Sequence, residues 1–62
     1  MFMIAIKSKH FFDSEFAASP AAKQWVVKNG WATFRSSSEG KLRKIASTVW
    51  WEYGLESRVF EI

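Results

Sequence analysis

The fold of this chain turns on residues 19 to 35, SPAAKQWVVKNGWATFR, a stretch that supports two readings. Ser19 suits a helix N-cap, Pro20 the first helical position, and Gly30 the position just past a helix ending at Asn29. On a 3.6-residue wheel Ala18, Ala21, Ala22, Trp25, Val26 and Asn29 share one side, and Lys23, Val27 and Lys28 point outward. The same residues also read as QWVVK and WATFR joined through Asn29 and Gly30, a hairpin with a type I′ turn. The Ser-Pro start and the alanines weigh for the helix, whereas Trp25, Val26 and Val27 pull toward a strand. The helix is the expectation adopted, with the hairpin as its alternative.

On the N-terminal side, residues 1 to 7 alternate. Phe2, Ile4 and Ile6 share one face of a strand, and Met1, Met3, Ala5 and Lys7 share the other. Residues Ser8 to Phe16 fit no period and read as a loop or irregular turn. On the C-terminal side, Gly30 to Ser36 suits a half-buried strand, with Trp31 anchoring one face and Phe34 the other. Ser36, Ser37 and Ser38 are N-cap candidates, and Glu39 places negative charge in a first helical turn, where the helix dipole favours it. From Lys41 to Tyr53 the apolar positions Leu42, Ile45, Ala46, Val49, Trp50 and Tyr53 recur at helical spacing, and Gly54 terminates the run. Glu56 to Ile62 reads as a closing strand.

These elements predict a small single α+β domain over residues 1 to 62, with a three-stranded sheet and two helices in the order β-α-β-α-β. The expected core is Phe2, Ile4, Ile6, Ala22, Trp25, Phe34, Leu42, Ile45, Ala46, Val49, Trp50, Tyr53, Val59 and Phe60. Helices on one face of the sheet leave the other face, or the edge strand Arg58 to Ile62, open for a partner.

Composition narrows the function. With 62 residues, no Cys and a single His, the chain has neither a disulfide nor a Cys/His zinc site to hold it, and no cofactor or metal is expected. Burial of roughly 6,300 Å² and the entropy of ordering the chain come to about 95 and 93 kcal/mol, so they nearly cancel. The surplus of large apolar groups, six Phe and four Trp in a chain 48% hydrophobic, then points to a homodimer or another partner. Lys7 ends the apolar start after six residues, too soon for a membrane span or signal segment, so no membrane association and a cytoplasmic location are expected.

The net charge is +3 and uneven: residues 1 to 44 carry a balance of +5 and residues 45 to 62 a balance of −2. No glycine-rich phosphate loop appears, because Gly30, Gly40 and Gly54 are isolated. A nucleophile set drawn from Ser36 to Ser38, His10 and Asp13 or Glu15 is better explained by capping and turn formation, so no catalysis is expected. Trp51 lies about 180° from Leu42 on the helical wheel, beside Lys44, Ser47 and Thr48. That patch suits a noncatalytic protein-binding module, an inhibitor or adaptor of an acidic partner protein, with Trp51 as the anchor. The alternative is DNA or RNA binding through Arg35, Lys41, Arg43, Lys44 and His10.

Overall fold

A computed structural model describes the whole chain, Met1–Ile62. The elements in chain order are β1 (Phe2–Lys7), α1 (Ser8–Asp13), the 3₁₀ turns Glu15–Ala18 and Pro20–Gln24, β2 (Val26–Lys28), β3 (Trp31–Ser36), α2 (Glu39–Tyr53) and β4 (Arg58–Glu61). The sheet has four strands, not three, in the order β2-β3-β1-β4, and every neighbouring pair is antiparallel. With α1 between β1 and β2 and α2 between β3 and β4, this is the ferredoxin-like, split βαβ connectivity.

The fourth strand comes from the hairpin. Asn29 (φ 54°) and Gly30 (φ 83°) both occupy the left-handed region that a type I′ turn demands at its central positions, and Lys28 pairs with Trp31 across them. The expected helix at Pro20 therefore runs only to Gln24, as a 3₁₀ turn. Pro20 does open that turn, but the Ser19 hydroxyl donates to the Phe16 carbonyl at 2.7 Å and caps nothing. Beyond Gln24 the β-branched Val26 and Val27 gain ladder bonds to β3, and a helix would forgo them. Thr33 secures the pairing by donating its hydroxyl to the Val26 carbonyl at 2.9 Å.

The single long helix is α2. The Ser38 hydroxyl accepts from the Lys41 N–H at 3.2 Å, and Gly54 (φ 67°) ends the helix in the left-handed conformation that glycine tolerates. Leu42 and Val49 are fully buried against β1, where Ile4 and Ile6 are equally closed to solvent. Ile45, Ala46 and Tyr53 pack beside them. Trp50, expected in the core, is 50% exposed. It stands eight positions after Leu42, about 80° round the helix, and lies on the flank of the stripe. Phe60 is likewise 42% exposed. Its neighbour Val59 pairs with Ile4 on the helix side, so strand alternation turns Phe60 outward beside Met3.

The remainder of the core comes from the segment read as a loop. Phe11 on α1 and Phe16 in the turn after it are buried, with ring centroids 5.4 and 5.5 Å from Trp25. Trp25 stacks on Phe34 at 6.0 Å, and Phe16 meets Tyr53 at 5.3 Å. This aromatic layer stands where a full-length first helix would lie. It joins α2 on one side of the sheet, with Ala32 and Leu55 as further buried members. The two ends of the chain meet where the Ile62 N–H donates to the Met1 carbonyl at 3.0 Å. No helix is long and apolar enough to cross a membrane.

Candidate nucleic-acid interface

All helices lie on one side, so the other face of the sheet is open, and the strand register states which side chains stand on it. Residues paired across antiparallel strands point the same way, which resolves the open face into three cross-strand rows. Lys7, Trp31 and Lys28 form the first row. Arg58, Ala5, Thr33 and Val26 form the second, and Phe60, Met3 and Arg35 the third.

Each row combines an apolar or aromatic group with at least one cation. No acid is among them, since Glu61, the only carboxylate on any strand, pairs with Phe2 and faces the helix side. Nor are the cations neutralised from elsewhere, because the one ion pair in the molecule, Arg43 to Glu39 at 3.0 Å, lies on α2. Trp31 is flanked on both sides in its row by lysine, so its indole is the centre of a positive strip. Phe60 sits four residues along the strand direction and two strand spacings from Trp31, about 16 Å away. The two rings are thus too far apart to touch each other. A shallow hollow of about 1180 Å³ lies over this face, lined by Met3, Trp31, Arg35, Arg58 and Phe60 among others. That exceeds the roughly 300–1,000 Å³ of small-molecule sites.

Scans against protein-family models, curated proteins and solved structures find no match for this chain. Its functional reading rests on the geometry of its own residues.

The cations singled out in the sequence are dispersed by the fold. Arg35 is on the open sheet face. Lys41 places its ammonium 5.8 Å from the centre of the Phe34 ring, and Arg43 is tied to Glu39. His10, on α1, lies beyond the opposite end of β1 beside Lys7, Trp31 and Arg58. By contrast, Lys44, Ser47, Thr48 and Trp51 do share one exposed face of α2, where the Thr48 hydroxyl donates to the Lys44 carbonyl at 3.0 Å. Trp51 is 79% exposed and covers no loop.

Sequence reasoning missed Lys7, Lys28, Trp31, Arg58 and Phe60 as a group. They come from all four strands, and only the strand register gathers them on one surface. The signal that was available is period two: Lys7 with Met3, and Trp31 with Arg35, already alternate onto one face.

Proposed function

We propose that this protein is a noncatalytic binder of single-stranded nucleic acid, which lies across the open face of its sheet. The carrying observation is the acid-free set of rows in which Trp31 and Phe60 stand among the unpaired cations Lys7, Lys28, Arg35 and Arg58. Aromatic rings on a flat surface stack on unpaired bases whatever their identity, and the surrounding cations hold the phosphates. Four strands at about 4.8 Å spacing span about 14 Å before side chains are added. A duplex major groove, about 12 Å wide, admits a helix or a two-stranded ribbon but not this face. Sheets that stack bases on exposed aromatics are a known mode of RNA recognition.

The test is titration of labelled mixed-sequence single-stranded DNA and RNA by fluorescence anisotropy at two salt concentrations. Four phosphate contacts give a slope of about −2.8 in log affinity against log salt, a loss of about fifty-fold between 50 and 200 mM. Absence of binding at 50 mM, or binding indifferent to salt, rejects the reading. The DNA and RNA arms show whether the 2′-hydroxyl contributes.

A second reading follows from the exposure of Trp51. With Lys44, Ser47 and Thr48 it forms a compact patch for a protein partner in the cytoplasm, or for a second copy in a homodimer, where a desolvated tryptophan anchor is worth at least about 2 kcal/mol. Sedimentation at micromolar concentration tests the second copy: a monomer that remains one at every concentration removes it.

A further inference from the structure

The open face ends in a notch. β1 runs to Lys7, whereas its pairing with β4 begins only at Ala5 with Arg58, so Ile6 and Lys7 have no strand beside them on that side. The segment from Gly54 to Ser57, which leaves α2 for β4, skirts this gap instead of filling it. The result is a cleft of about 470 Å³ that reaches from the outer face, where Trp31 and Arg58 stand, to Trp50 on the flank of α2. Ala5 and Lys7 are what β1 contributes to its lining. The volume is within the range of sites that enclose one small ligand.

The lining is chemically divided. Lys7 and Arg58 supply positive charge and, with a ring N–H of His10, hydrogen-bond donors, while Trp31 and Trp50 supply two indole surfaces. Glu56 and Ser57 add a carboxylate and a hydroxyl, and Glu56 forms no ion pair with the cations around it. Phosphate suits the first set, a base the second, and sugar hydroxyls or base amino groups the third.

We propose that this cleft is a mononucleotide subsite of the nucleic-acid face, in which one nucleotide of the strand leaves the sheet surface and is held with its base against Trp50 and its phosphate on Lys7, His10 and Arg58. This rests on the single-strand reading and deepens it: His10 and Trp50 stand outside the three rows, yet both line a cleft that shares Ala5, Lys7, Trp31 and Arg58 with them. The half-exposed position of Trp50, which contributes little to the core, then has a binding role.

The experiment uses adenosine monophosphate, adenosine and a labelled single-stranded decamer on the intact chain, with tryptophan fluorescence and anisotropy as readouts. Adenosine monophosphate is expected to quench fluorescence, to bind about tenfold tighter than adenosine, and to displace part of the decamer's affinity. Trp50→Ala weakens both ligands about tenfold, Trp50→Phe restores most of that, and His10→Ala weakens the monophosphate but not adenosine. The His10 variant alters an exposed side chain and keeps the test open if Trp50→Ala fails to fold, which circular dichroism reveals. If the wild-type chain binds no decamer, the single-strand reading fails and the subsite with it. If the decamer binds but Trp50→Phe, Trp50→Ala and His10→Ala all match wild type, the subsite alone is overturned. Monophosphate binding that never competes with the decamer identifies a free nucleotide as the ligand and likewise overturns it.

Discussion

Arg35 separates the sheet face from the rest of the molecule's positive charge. It is exposed on β3 in the row of Met3 and Phe60, and it has no ion pair or side-chain hydrogen bond within the chain. Arg35→Gln therefore leaves the fold alone, within the roughly 0.5 kcal/mol typical of surface substitutions. On a single strand each phosphate contact contributes about 0.7 to the salt slope, so the slope falls from about −2.8 to about −2.1. The loss of affinity between 50 and 200 mM salt then shrinks from about fifty-fold to about eighteen-fold. Arg43→Gln removes the same charge from α2, where Arg43 is already held by Glu39 at 3.0 Å, and leaves the slope unchanged. Anisotropy titrations at four or more salt concentrations resolve the difference, with urea midpoints measured on the same preparations. Equal slopes for wild type and Arg35→Gln, or a reduction for Arg43→Gln as large as for Arg35→Gln, would refute the assignment of phosphate contact to the sheet.

Other outcomes test the platform and the architecture. Trp31→Ala should lower oligonucleotide affinity about tenfold, within the 1–3 kcal/mol that stacking contributes per base, while Trp31→Phe retains most of it; equal affinities for all three proteins would remove Trp31 as a platform. Leu42→Ala, at a fully buried position, should cost about 2–5 kcal/mol of a total near 3–9 kcal/mol, whereas Trp51→Ala, at 79% exposure, should cost under about 1 kcal/mol. Chemical denaturation decides between them, and a greater loss at Trp51 would reverse the assigned faces of α2. Asn29→Ala distinguishes turn from helix by sign: at φ 54° the alanine is strained by about 1 kcal/mol and lowers the melting temperature by about 4–8 °C, whereas in a helix it would be stabilising.

The elements that were readable are those whose pattern is local and strongly periodic. The alternation of Phe2, Ile4 and Ile6 identifies β1 and its inward face, and Ser38, Gly54 and the spacing of Leu42, Ile45, Ala46 and Val49 define α2. Local pattern is ambiguous where one signal competes with another or with tertiary pairing. Ser19-Pro20 and Asn29-Gly30 each acted as their chemistry dictates, one opening a 3₁₀ turn and the other a hairpin. They do not bound one helix. Phe11 and Phe16 carried no period because neither belongs to a long helix. They are buried through contact with Trp25, which follows the second 3₁₀ turn, and Phe16 also through Tyr53 at the end of α2.

The folded shape leaves more surface than a domain of this mass ordinarily shows, 4471 Å² against about 4,100 Å². Local sequence by itself determined the α+β class, the first strand, the capped helix and the excess of cations over acids, because these follow from side-chain periodicity, caps and composition. Tertiary structure alone decided that Lys7, Lys28, Trp31, Arg35, Arg58 and Phe60 share one surface. Their adjacency depends on the order β2-β3-β1-β4 and on its register, in which a slip of one residue would turn Trp31 to the other face of the sheet. Side-chain period specifies which residues of one strand share a face, but not which strand lies beside it; that is set by the packing of the whole chain over a single core.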